Sequence, residues 1–181
     1  MSPYKSIWIN PRVTFEELAS REKQPLLILP IIGNGLIFGL DAYPDIASIF
    51  DEGERIWAFL LALPLGIGLS FLMLGLIIPG LIKFCGKIWE GESTLRKMSN
   101  ICSLSFFPLN IVLIYQISIF IFGVEPKLEN INYGIIYLLW LWSFGLLIIG
   151  VAKIQKFKYS IALLNILVSY LPILIFGLLR N

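Results

Sequence analysis

The sequence predicts an all-α integral membrane bundle of five transmembrane helices, with interfacial helices at its N-terminus and in an inner loop. Three observations lead there. Of 181 residues, 57% are hydrophobic and 14% charged, with a mean hydropathy of +0.84. A soluble domain carries about a quarter charged residues, so this chain has too few polar side chains to cover a water-facing surface. The charges lie outside four long apolar stretches and one shorter one. Lysine and arginine crowd every second connection between those stretches, which gives the bundle two unlike faces.

Residues 1–24 read as a cytoplasmic interfacial segment ahead of a membrane domain over 25–181. Asn10 can accept from the free amides of a helix start, and Pro11, which has no amide hydrogen, suits the first helical position. Thr14 and Glu17 have capping-box spacing, a second and overlapping start signal. Ile7, Trp8, Ile9, Phe15 and Leu18 give this helix an apolar side, with Arg12, Arg21 and Lys23 near lipid phosphates, so it is expected in the interface plane. A signal peptide needs a basic start, an apolar run and a small-residue cleavage site. No such site follows Leu40, and the first span is expected to stay in the mature protein.

The first span, 25–40, is uncharged but 16 residues long, about 24 Å at a rise of 1.5 Å per residue. It must draw on its flanks or thin the bilayer. Residues 41–55 then form an outer loop with Asp41, Asp45, Asp51, Glu52 and Glu54 against the single Arg55. Without the glycine-centred alternation of a calcium loop, this run reads as solvated rather than as a divalent-cation site. Arg55 and Trp57 mark the outer border.

Spans at 56–82, 101–124, 133–152 and 159–179 contain no Asp, Glu, Lys or Arg, and each is long enough for a hydrocarbon core of about 30 Å. Gly35 and Gly39 in span one and Gly66 and Ser70 in span two are small-residue pairs that let backbones approach. Pro30, Pro64, Pro79, Pro108 and Pro172 each remove a backbone donor and predict kinks. Between spans two and three, Gly86 and Gly91 break the chain, and Ser93 or Thr94 can cap a helix. Leu95, Met98, Ile101 and Cys102 follow at spacings of three and four, predicting a second interfacial helix leading into span three.

Eleven basic residues fall on one side: Lys5, Arg12, Arg21 and Lys23; Lys83, Lys87, Arg96 and Lys97; Lys153, Lys156 and Lys158. Three, Arg55, Lys127 and Arg180, fall on the other. The positive-inside rule then predicts a cytoplasmic N-terminus and an outer C-terminus, which requires an odd number of crossings.

The chain contains no histidine, so it has no imidazole base, no Ser-His or Cys-His pair and no histidine metal ligand. Cys85 and Cys102 would both face a reducing compartment, where a structural disulfide is not expected. Cys85 reads as a small hydrophobe, with juxtamembrane palmitoylation as the alternative. No catalytic constellation, cofactor, metal or nucleic-acid partner is predicted. Ion-coupled carriers place ionisable groups inside the membrane, and none lies in these spans. Asn34, Asn110, Gln116 and Asn165, with several serines, are read as interhelical hydrogen-bonding groups, the alternative being a polar cavity for a neutral or lipidic ligand.

Trp8, Asn10-Pro11 and Thr14-Phe15 at the head, Gly91 and Ser93 in the inner loop, Ser105 and Pro108 in span three, and the block from Leu139 to Ala162 with Lys153 and Ser160 together resemble the Yip family, named for Ypt/Rab-GTPase interaction. The resemblance is to prokaryotic members and covers nearly the whole chain. Eukaryotic members carry a long hydrophilic extension and an Asp-Leu-x-Gly-Pro signature that are not found here, so the Rab-binding role does not carry over and a prokaryotic plasma membrane is the expected setting. The resemblance implies a five-span protein without catalytic residues that recruits or stabilises other membrane proteins.

The expected function is that of a non-catalytic adaptor or accessory subunit, for instance of an export complex, partnered by the bilayer and by other integral membrane proteins or a second copy. Trp8, Asn10, Pro11, Phe15, Trp89, Arg96 and Lys97 are the candidate partner contacts. The alternative is a small transporter or lipid-handling protein with a central polar cavity lined by Asn34, Asn110, Gln116 and Asn165.

Overall fold

The structure, a computed structural model, describes residues 2–20, 25–124, 127–128 and 133–179; Arg21, Lys23 and Arg180 lie outside them. Among the described residues the chain is helical and has no strand. Two short helices, α1 (Pro3–Ile9) and α2 (Pro11–Ser20), precede α3 (Ile28–Ala47) and α4 (Arg55–Ser70). A π-helical stretch, Phe71–Ile77, joins α4 to α5 (Ile78–Gly86), and a 3-10 turn follows at Lys87–Trp89. Next come α6 (Leu95–Ser105), a 3-10 turn at Phe107–Leu109, α7 (Asn110–Ile121), α8 (Tyr133–Gln155) and α9 (Tyr159–Leu179). Among the described residues three continuous stretches are long and apolar enough to cross a membrane, Glu52–Trp89, Leu95–Ile121 and Tyr133–Gln155, and Tyr159–Ile173 is a shorter apolar helix.

Two expectations change. The first apolar helix starts at Ile28 and continues to Ala47, so Asp41 and Asp45 belong to a helix, not to a loop beginning at 41. They are one helical turn apart and reach the same connection: Leu128 donates its amide to Asp41 Oδ1 at 2.7 Å and Lys127 Nζ pairs with Asp45 Oδ1 at 2.9 Å. Among the described residues no three Asp, Glu or Cys side chains gather as a metal site. Second, the inner-loop helix is not a surface element. Thr94 does cap it, accepting from the Lys97 amide at 3.3 Å, but every residue from Met98 to Ser105 is buried. α4 and α9 include Pro64 and Pro172 within their length. The sharper departures from α geometry fall beside Pro79 and at Pro108.

α3 and α4 meet through glycines. A Cβ on Gly35 would lie 2.5 Å from Ile67 Cα, one on Gly39 would lie 2.8 Å from the Ala62 carbonyl oxygen, and one on Gly66 would strike the backbones of both Gly35 and Gly39. Backbones this close exclude any larger residue and bring polar groups within reach across the seam. Ser70, one helical turn beyond Gly66 on α4, donates to the Ile31 carbonyl of α3 at 2.8 Å.

The main core lies where α2, α6, α8 and α9 converge. Phe15, Met98, Ile101, Leu104, Leu146, Leu147, Val151 and Ile166 are fully buried there. α2 can approach α8 because Gly150 presents no side chain; a Cβ there would meet Ile101 Cγ2 at 2.5 Å and the Phe15 ring at 3.2 Å.

Two helix ends interlock at one corner of the bundle. The segment after α5 closes with the Gly91 amide donating to Gly86 O at 3.0 Å, and α8 closes with the Phe157 amide donating to Ala152 O at 2.8 Å. Both are six-to-one closures of the Schellman type, which need a left-handed residue. Those residues are Glu90 at φ 59° and Lys156 at φ 58°. The Gln155 side chain fills the space between Gly86 and Gly91, and neither position has room for a Cβ.

Gly66→Ala should destabilise the protein by about 1–3 kcal/mol through overpacking, read as a lowered unfolding midpoint in detergent. Gly68 lies in the same helix, and a methyl group there would have nothing within 4 Å. Gly68→Ala should therefore be neutral or stabilising by about 0.5–1 kcal/mol.

Candidate functional site

The N-terminal helices are held as a clasp across one end of the bundle. α1 ends at Asn10, and α2 begins with Pro11. Thr14 makes no capping box; its hydroxyl donates back to the Asn10 carbonyl at 2.9 Å. Four links fix α2 to its neighbours. Phe15 and Leu18 are buried in the core, Glu16 pairs with Lys153 at 2.5 Å, Lys97 Nζ donates to the Ala19 carbonyl at 2.7 Å, and the Arg12 guanidinium lies 5.6 Å from the centre of the Tyr159 ring. α1 is held by Ile7, which is fully buried, and by Tyr4 and Trp8, whose rings lie 5.3 and 6.4 Å from that of Phe107. Burial raises the Tyr4 hydroxyl above its ordinary pKa.

The seven candidate contact residues therefore divide. Trp8, Asn10 and Arg96 are exposed, while Pro11, Trp89 and Lys97 are half-buried. Phe15 is fully buried, so it anchors the clasp and offers nothing to a partner. The reason is the absent Cβ of Gly150, which lets the ring seat on α8. Lys97 is engaged with the Ala19 carbonyl. The outward side of the clasp carries Trp8, Ile9 and Val13, at 41%, 75% and 44% exposure. This segment is thus apolar both inward and outward.

The four amides do not converge. Asn34 Nδ2 lies 2.8 Å from the Pro30 carbonyl, 3.2 Å from that of Phe106 and 3.1 Å from Asn110 Oδ1, so Asn34 and Asn110 are neighbours. Gln116 donates to the Ile37 carbonyl at 3.4 Å. Asn165 belongs to a different seam and donates to Ile82 O at 3.1 Å, an oxygen that Gln155 Nε2 also approaches at 3.4 Å. A cleft of about 340 Å³ at the α3–α4 turn is lined by Tyr43, Ser48, Arg55 and Phe120, among others, and by none of the four amides. Asn34, Gln116 and Asn165 each tie one helix to the backbone of another segment, and Asn110 pairs with the Asn34 side chain.

Further polar ties lie in α6. Asn100 accepts the Leu27 amide at 2.8 Å and donates to the Pro25 carbonyl at 3.1 Å, and Ser103 donates to Leu27 O at 2.6 Å. They hold the non-helical entry to α3 by its own backbone groups. Ser99 donates to Gly75 O at 2.6 Å. Ser99, Asn100 and Ser103 do not stand out in the sequence, because they follow what reads as a loop. Their signal is a run of small polar residues on a helix that is otherwise apolar. Cys85 and Cys102 are free and buried, the packing of small hydrophobes.

The family model described as Yip1 domain matches residues 5–180. No curated protein and no solved structure matches the chain.

Asn34→Leu and Asn165→Leu should each lower stability by about 0.6–2 kcal/mol, the range of interhelical hydrogen bonds in membranes, measured by unfolding in detergent. Unchanged stability in both would return these amides to a binding role.

Proposed function

From the premise that the chain belongs to the Yip1 domain family, we propose that it is a non-catalytic, multi-pass adaptor or accessory subunit that holds other integral membrane proteins. It crosses a prokaryotic plasma membrane five times, with its N-terminus in the cytoplasm. The observation that carries this reading is the two-sided clasp. Ile7, Phe15 and Leu18 are spent inward on the bundle, while Trp8, Ile9 and Val13 face outward and exposed. A short helix that needed only to anchor itself would be apolar on one side.

Arg96 and the half-buried Trp89 extend the surface on the neighbouring inner loop. Five crossings agree with five helical units, α3, α4–α5, α6–α7, α8 and α9, and with the basic residues that gather at the clasp. α3 has only 13 residues ahead of Asp41, roughly 20 Å of helix, so local thinning of the bilayer accompanies its crossing. The transporter reading has less support, because Asn34, Gln116 and Asn165 donate to backbone carbonyls and Asn110 accepts from Asn34.

Affinity purification in mild detergent tests this reading. The wild-type protein should retain a co-purifying integral membrane protein, and Ile9→Asp with Val13→Asp should lose it with little change in unfolding midpoint, since both side chains are exposed. Recovery of the protein alone, together with solute or lipid movement in proteoliposomes, would contradict it.

A further inference from the structure

The corner where α5 and α8 end carries four lysines that the clasp does not use. Lys83 and Lys87 lie one helical turn apart at the end of α5, and Lys156 and Lys158 flank Phe157 in the turn between α8 and α9. The two pairs are brought together by Gln155, whose side chain fills the gap beside Gly86 and Gly91, and by Ile82 O, which accepts from Asn165 of α9. Phe157 turns inward, its ring against Gly91, which leaves the lysines on either side of it exposed. None of the four makes an ion pair among the described residues. The acids of the intervening loop, Glu90 and Glu92, are two against four.

Two features set this corner apart from a solvated basic surface. Phe84 and Ile88 stand next to Lys83 and Lys87 on the helix, again one turn apart, and are 71% and 69% exposed. Large apolar side chains and ammonium groups thus alternate where the uncharged stretch of α4–α5 ends. In addition, Lys156 occupies a left-handed position, φ 58°, which glycine would occupy without strain. A lysine there places an ammonium group at the turn that glycine would not supply.

We propose that this corner binds an anionic phospholipid. Its phosphate is held by Lys83, Lys87, Lys156 and Lys158, and its acyl chains lie along Phe84 and Ile88. Basic pockets between helices at a membrane surface recognise anionic headgroups in this manner, and the lysine stems follow the apolar surface while the ammonium groups reach the headgroup level. A free phosphate ion would use the same ammonium groups but would gain nothing from Phe84 and Ile88. Lipid binding here is independent of the adaptor reading, because it needs neither a protein partner nor a particular orientation across the membrane.

The test is the unfolding midpoint of the full chain in detergent with dioleoyl phosphatidylglycerol, dioleoyl phosphatidylcholine or inorganic phosphate added. Phosphatidylglycerol at a hundredfold excess over its dissociation constant should raise the midpoint by roughly 5–10 °C, and the other two should leave it within a degree or so. Replacing Lys83, Lys87, Lys156 and Lys158 together by Gln should abolish most of that rise, whereas Lys5→Gln with Arg96→Gln should preserve it. Lys156→Gly keeps the result readable if the fourfold variant unfolds: it should raise the lipid-free midpoint by relieving the backbone and still reduce the lipid-induced rise. An equal rise with phosphatidylcholine, a full rise with inorganic phosphate alone, or a rise undiminished in both Lys156→Gly and the fourfold variant would overturn the proposal.

Discussion

Backbone carbonyls in a hydrocarbon environment must find donors inside the protein, and the rest of this structure follows from how they do so. Proline and irregular turns interrupt the internal ladders of the helices, and side-chain hydroxyls and amides from neighbouring helices donate to the carbonyls at those places. Pro79 has no hydrogen to offer Gly75 O, four residues earlier, and Ser99 of α6 donates to that oxygen. Residues 25–27, just ahead of the first turn of α3, are held by Asn100 and Ser103. Around the turn at Pro108, the Phe106 carbonyl accepts the Leu109 amide and Asn34 as well. Each tie joins two segments, and at Gly75 O and at residues 25–27 it also serves a backbone group that its own helix does not, which gives Ser99, Asn100 and Ser103 a reason to be polar at buried positions.

Glycine does the complementary work of bringing the backbones close enough for such ties. Gly35, Gly39 and Gly66 seat α3 on α4 and leave Ser70 within reach of Ile31 O. Gly150 admits Phe15, and with it the whole of α2. Gly86 and Gly91 admit Gln155, which interlocks two helix ends and gathers four lysines at one corner. The clasp and the basic corner are both consequences of missing Cβ atoms in the supporting helices.

Much of this is legible in the sequence. The helical character of the longer charge-free runs, the glycine pair in span one, the Thr94 cap and the start of α2 at Pro11 all rest on local rules of length, spacing and capping, and the structure has each of them. What stays hidden depends on contacts between distant segments. Asp41 reads as the start of a loop until Leu128 and Lys127 are seen to engage its turn of helix. Phe15 reads as a contact residue until Gly150, far along the chain, is placed beneath it. The start of α6, up to Asn100, reads as interfacial because its apolar residues recur at spacings of three and four in the inner loop, and the carbonyls that Ser99 and Asn100 serve lie on other segments of the chain.

Ser99, Asn100 and Ser103 thus act as repairs to the backbone, and function moves to the surfaces where the apolar stretches end. The most direct measurement is a double-mutant cycle on Pro79 and Ser99, by unfolding in detergent. Ser99→Ala should cost about 0.6–1.7 kcal/mol in the wild-type protein, and much less in a Pro79→Ala background, where a new amide hydrogen serves Gly75 O. An equal cost in both backgrounds would show that the hydroxyl does not stand in for the missing donor, and would contradict the role of these groups as backbone repairs.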